Sequence, residues 1–152
     1  MPSSTIFVSG PSNRSMPAAT VIPVLHYQDV QTAAAWLCRT FGFSERLRIG
    51  THRVQLNVGE GAIVIAQSPQ AVSNSETAGH AVMVRVSNVD RHFAGTRKAG
   101  ATVIHGPTSH PYGERQYSAV DPGGHVWTFS QTEANVDPSL WGGELVRGLT
   151  ND

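Results

Sequence analysis

Apolar and polar positions along this chain lay out the same plan twice. Residues 20–27 form a strand-like run that reaches a turn at Gln28-Asp29-Val30. Ala33, Trp36, Leu37 and Phe41 then recur at helical spacing and give residues 31–41 one apolar face. Asp29 supplies a short acceptor side chain at the N-cap, and Gly42 supplies the stop. Three strand-like runs follow, at 44–49, 53–58 and 61–67. In the middle one Val54, Leu56 and Val58 alternate with Arg53, Gln55 and Asn57, the pattern of a half-buried strand. Near residue 80 the plan restarts. Residues 81–86 are strand-like, Asn88 is the cap, 91–99 are helical with Val89, His92 and Phe93 opening the apolar face, and Gly100 is the stop. Further strands are expected at 102–105, 116–120 and 125–130. Gly59-Glu60-Gly61 and Asp121-Pro122-Gly123-Gly124 are hairpin-type turns at equivalent places.

A tandem repeat of this length bounds the fold. The chain divides into an N-terminal arm (1–19), a first βαβββ module (20–67), a polar linker (68–79), a second βαβββ module (80–132) and a C-terminal extension (133–152). The fold class is α+β, with the two modules related by a pseudo-twofold axis. The arm is Ser/Pro-rich and is expected to be loose, with at most one added strand. It has no basic n-region and no sustained apolar core, so it does not read as a secretory signal. In the extension, Asp137-Pro138-Ser139-Leu140-Trp141 is too apolar for a free tail. Trp141 and Leu145 are expected to dock on the body or on a partner subunit.

Charge and composition then remove whole classes of function. Lys plus Arg equals Asp plus Glu at 11 each, which leaves no electrostatic footprint for nucleic acid or an anionic membrane. No apolar run approaches the roughly 20 residues that span a bilayer. Cys38 is the single cysteine, so no intramolecular disulfide forms, consistent with a cytoplasmic protein. Cys38 lies on the first helix with no basic pair beside it to lower its pKa, which argues against a catalytic thiol. Phosphate-loop, dinucleotide and Gly-x-Ser-x-Gly motifs are absent from the sequence.

The turn Asp121-Pro122-Gly123-Gly124-His125-Val126-Trp127, preceded by residues 112–120, resembles the last hairpin of the vicinal oxygen chelate superfamily. That superfamily includes glyoxalase I, extradiol dioxygenases, fosfomycin-resistance transferases and bleomycin-resistance proteins. Val24-Leu25-His26-Tyr27-Gln28-Asp29, with a helix ending at Phe41-Gly42-Phe43, resembles its opening motif. The resemblance covers roughly residues 20–132. It implies curved open sheets that form a cup around a ligand, and a homodimer.

In metal-dependent relatives, a ligand stands near the start of each module's first strand and another in its last strand. The resemblance carries these positions onto Ile22, Ile65, Ala81 and Thr128, where relatives that are enzymes end on Glu. None is a competent N or O ligand, so no metal and no cofactor are expected. His80, one residue before Ala81, and Gln67, two past Ile65, are the residues that a displaced site would use.

Arg115 and Tyr117, alternating beside Glu114, form the densest polar group near an aromatic. With His26 and Thr128 they are the expected ligand-binding residues of the cup. An inward Arg suits an anionic or hydrogen-bonding ligand; the alternative is an ion pair with Glu114 or a nearby carboxylate at the strand mouth. His125 is expected to stabilise its turn, and Trp127 and Phe129 to pack beneath the sheet. The leading functional reading is a metal-free small-molecule-binding protein of the bleomycin-resistance type, sequestering an antibiotic or metabolite. The alternative is a metal-dependent lyase, isomerase or dioxygenase of the same superfamily with a displaced metal site.

Overall fold

Two short polar side chains start the two helices. The Asp29 Oδ1 accepts the Thr32 N–H at 3.0 Å, and the Asn88 Oδ1 accepts the Arg91 N–H at 3.0 Å. Each helix is followed by a glycine in the left-handed region, Gly42 and Gly100, both at φ 86°. A side chain there would be strained, so these residues stop the helices and turn the chain back toward its sheet.

The computed structural model describes residues 10–68 and 79–146. In order, its elements are β1 (Val24–Tyr27), α1 (Val30–Phe41), β2 (Ser44–Ile49), β3 (Arg53–Val58), β4 (Gly61–Gln67), β5 (Val82–Arg85), α2 (Val89–Lys98), β6 (Thr102–Ser109), β7 (Glu114–Val120) and β8 (Val126–Thr132), then a 3-10 turn at Pro138–Trp141. They form two four-stranded sheets, ordered β1-β4-β3-β2 and β5-β8-β7-β6. In each, the first strand runs parallel to the last and the other pairs are antiparallel. The expected repeat is therefore present as two equivalent βαβββ modules. Most of the linker lies outside the described residues. Among those described, no helix is long and apolar enough to cross a membrane.

Strand boundaries differ from expectation where irregular pairing intervenes. β6 continues past residue 105 to Ser109, because register shifts around His105 carry the strand through Gly106-Pro107. β1 begins only at Val24.

One core serves both modules. Leu25, Val54, Leu56, Ile63 and Ile65 of the first sheet bury beneath α1, and Tyr117, Ala119, Trp127 and Phe129 of the second sheet join the same cluster. Phe41, at the end of α1, bridges the modules. Its ring lies 5.6 Å from Trp127 and 4.8 Å from Phe129. Trp127 and Phe129 thus pack against the helix side of their sheet, as their alternation predicts.

Polar contacts fix how the modules meet. The Asp121 carboxylate is buried and accepts four hydrogen bonds. Oδ1 takes the Gly123 and His125 N–H groups at 2.9 and 3.0 Å, and Oδ2 takes the Trp127 Nε1–H at 2.9 Å and the Tyr27 hydroxyl at 2.5 Å. The last contact reaches from the final hairpin to the first strand. The Tyr27 ring presses so closely on Gly123 that a Cβ there would stand 2.6 Å from it. The His125 Nε2 lies 2.9 Å from the His26 carbonyl, so the turn role expected for His125 extends to the neighbouring module. His92 makes a second tie. Its Nε2–H donates to the Phe41 carbonyl at 2.8 Å, which leaves Nδ1 to accept the Tyr117 hydroxyl at 2.5 Å. The Thr96 hydroxyl stands 2.7 Å from the same phenol.

In the arm residues 10–16 are exposed and Pro17 is buried. In the extension Trp141 leans on Tyr112, with ring centroids 5.3 Å apart, whereas Leu145 is 82% exposed among the described residues.

Asp121→Ala leaves four donors unpaired, three of them in buried hydrogen bonds, and is expected to cost about 3–5 kcal/mol in urea unfolding; a loss below about 1 kcal/mol would show that the turn stands without its carboxylate. Burial holds the His92 pKa below its ordinary 6.5, although its bond to the Phe41 carbonyl opposes the shift. The unfolded chain therefore binds the proton more readily. Stability from this group is complete above the ordinary pKa and is lost as pH falls through it. Thermal melts at about pH 7.5 and about pH 5 are expected to differ more for wild type than for His92→Gln.

Candidate functional site

Strand parity gives each sheet a helix face and an opposite, cup face. In the first sheet the cup face carries Val24 and His26 from β1, Val64 and Ala66 from β4, and Gln55 from β3. In the second it carries Met83 and Arg85 from β5, Thr128 and Ser130 from β8, and Gln116 and Ser118 from β7.

The second cup is a hydrogen-bonded array. The Ser118 and Thr128 hydroxyls are 2.7 Å apart. Gln116 Nε2 donates to Ser130 Oγ at 3.0 Å, and Ser130 donates to Glu114 Oε1 at 2.6 Å. Arg85 Nη1 donates to Thr132 Oγ1 at 2.5 Å. Hydrogen bonds from Ser130 and Thr132 hold the Glu114 carboxyl below its usual range, and the Arg85 charge adds to the effect. Glu114 is therefore an ionised acceptor at neutral pH. Aromatic rings border the array: the Tyr112 hydroxyl donates to Gln116 Oε1 at 3.2 Å, its ring stacks on His110, and its other neighbour is Trp141, 44% exposed. Met83 stands 64% exposed at the opposite edge.

The expected wall of Arg115, Tyr117, His26 and Thr128 does not assemble. The Asp121 turn sets Val120 opposite Val126, so Thr128 faces Ser118, and Tyr117 faces Phe129. Direct cross-strand partners share a face, and one step in register exchanges the faces. Tyr117 is consequently buried under α2, where desolvation pushes its phenol up to about 12. Arg115 lies on the same helix side and pairs with Asp90 of α2 at 3.0 Å, the ion-pair alternative with a different carboxylate from its sequence neighbour. His26 belongs to the first cup and Thr128 to the second. The signal that finds Gln116, Ser118 and Ser130 was present in the turn itself, because it counts outward to even-numbered pairs.

The cup residues do not fit a metal. Ile65 is fully buried and faces α1, so the strand-β4 position on the cup side is Val64 or Ala66, neither of which has a lone pair to give. Gln67 shares the parity of Ile65. His80 lies against the His125 ring, centroids 5.8 Å apart, rather than beside Thr128. Among the described residues no three His, Cys, Asp or Glu side chains group as a metal site. Burial, with the Glu45 charge, pushes the Cys38 thiol up, the direction of an unreactive cysteine.

Residues 21–129 match the model of the Glyoxalase/Bleomycin resistance protein/Dioxygenase superfamily. No curated protein matches the chain. Among solved structures, TioX from Micromonospora sp. ML1 is 36% identical, with 73% of this chain and 96% of that one covered at a TM-score of 0.63. A bleomycin resistance determinant encoded on the transposon Tn5 is 19% identical, with 75% and 98% covered and a TM-score of 0.63. The bleomycin-binding protein of bleomycin-producing Streptomyces verticillus, solved with copper(II)-bleomycin, is 18% identical, with 73% and 93% covered and a TM-score of 0.59. The chain belongs to the glyoxalase/bleomycin resistance protein/dioxygenase superfamily.

Proposed function

We propose that this protein binds a small organic molecule on the cup face of its second sheet, without a metal, and sequesters it as a homodimer. The observation that carries the reading is the Glu114-Ser130-Gln116-Tyr112 chain of hydrogen bonds on that face. Such a face recognises amide and hydroxyl groups, and Tyr112 and Trp141 at its border suit a planar ring. Two structural neighbours described as a bleomycin resistance determinant and a bleomycin-binding protein support the class of function. Exposed Met83, Leu140 and Val146 supply apolar surface for a second copy to cover.

Titration calorimetry with bleomycin, alone and as its copper(II) complex, is the first test of the ligand class. For whichever compound of a wider antibiotic panel binds, Ser130→Ala and Glu114→Gln are each expected to weaken affinity about 10-fold. Arg115→Ala is expected to leave it unchanged, because that guanidinium is held by Asp90. Equal losses from all three variants would move the site away from this face. Dialysis against Zn²⁺, Ni²⁺, Mn²⁺ or Fe²⁺ is expected to leave no stoichiometric ion; one tightly held ion per chain would favour the metal-dependent enzyme instead. Sedimentation at micromolar concentration is expected to report a dimer.

A further inference from the structure

The imidazole of His125 is held in one tautomer. Its Nε2 lies 2.9 Å from the His26 carbonyl, a group that can only accept, so Nε2 carries the proton and Nδ1 keeps a lone pair. The residue is 4% exposed, and its Nδ1 is buried with no hydrogen-bond partner. The Cδ2 edge of the ring faces the hairpin turn, since a Cβ on Gly123 would stand 3.3 Å from it. Nδ1 is therefore on the edge turned away from that glycine. A second histidine stands beside the first. β5 and β8 run parallel, with Val82 opposite Trp127 and Val84 opposite Phe129, and both valines pack on the core. Two residues earlier on each strand the same parity brings His80 and His125 together on the helix side of the sheet. Their ring centroids are 5.8 Å apart, with the planes at 47°. His80 is exposed, so the pair has one buried and one solvent-facing member.

A neutral imidazole that donates one ring N–H to a backbone carbonyl and keeps the other nitrogen bare is in the form that ligates metals. An ion about 2 Å from one nitrogen of each ring sets the ring centres roughly 5–6 Å apart, which is the spacing found. Zn²⁺ sites draw on more protein ligands than this pair supplies, whereas Cu²⁺ stands highest in the order of affinities for nitrogen donors. We propose that His80 and His125 form a copper-binding site where the chain enters the second module, with water completing the coordination. The site lies on the helix side of the second sheet, opposite the cup, and uses neither Ala81 nor Thr128. It is independent of the reading of the cup, whose residues it does not share. A bound ion would tie the start of the second module to its last hairpin and, through the His125 bond to the His26 carbonyl, to the first module.

The probe is Cu²⁺ alone, titrated calorimetrically into the full chain at about pH 7.5, where an imidazole is neutral. It is expected to bind saturably at one equivalent. His80→Ala removes an exposed side chain and is expected to weaken that binding at least about 10-fold. His105→Ala, which removes an exposed histidine on β6, is expected to leave it unchanged, so the loss at residue 80 is not the loss of any histidine. Zn²⁺ is expected to bind at least about 10-fold more weakly than Cu²⁺. Copper is expected to raise the melting temperature of the wild type and not of His80→Ala, because an ion that binds only the folded site stabilises it. The electron paramagnetic resonance spectrum of the wild-type complex is expected to show hyperfine splitting from two imidazole nitrogens, a readout that needs no variant. The proposal is overturned if Cu²⁺ binds without saturation, if His80→Ala binds as wild type, if His105→Ala costs as much, or if the spectrum carries no nitrogen splitting.

Discussion

The Asp121 carboxylate holds this architecture together. A buried charge is costly unless its lone pairs are taken, and here both oxygens are taken twice. Two of the donors belong to its own turn, which sets the register of β7 against β8. A third is the indole of Trp127, which fixes the ring that Phe41 packs against. The fourth, the Tyr27 hydroxyl, comes from 94 residues away and locks the first strand to the last hairpin. Burial, then the adjacent Asp121 charge, push that phenol above its usual range, so the bond persists at any physiological pH. Hairpin geometry, core packing and the joint between modules therefore rest on one side chain.

Because the helix sides share one core, the cup faces are left for other work, and the two cups do it differently. The first carries Val24, Ala62, Val64 and Ala66 beside the polar Gln55, Asn57 and His26, and the arm covers part of it. The second is polar, with Met83 and Thr128 reachable from solvent and Ser130 buried among its own hydrogen bonds. Its groups already bond to one another, so a ligand must replace those bonds rather than satisfy idle ones. Such replacement yields modest net energy per contact but penalises any ligand that lacks the matching group. A preorganised array of this kind favours selectivity, and the rings at its border supply the apolar contribution.

Much of the fold is legible from local chemistry. Asp29, Gly42, Asn88 and Gly100 mark the helix ends, and alternation places Trp127 and Phe129 beneath the sheet. The candidate site is less legible. Its membership turns on whether Thr128 faces Ser118 or Tyr117, a difference of one residue that exchanges every side chain between core and cup. Arg115 reads as a ligand-binding cation because Asp90, its partner, is distant in sequence and arrives on α2 only once the module has folded.

The sequence by itself determined the repeated βαβββ plan and the helix caps, because these depend on residue type and on neighbours a few positions away. Only the tertiary structure decided which polar residues share a face, that the arm lies over part of the first cup and that Tyr27 meets Asp121. Those outcomes depend on strand register and long-range packing, in which residues dozens of positions apart must satisfy one another's buried hydrogen bonds.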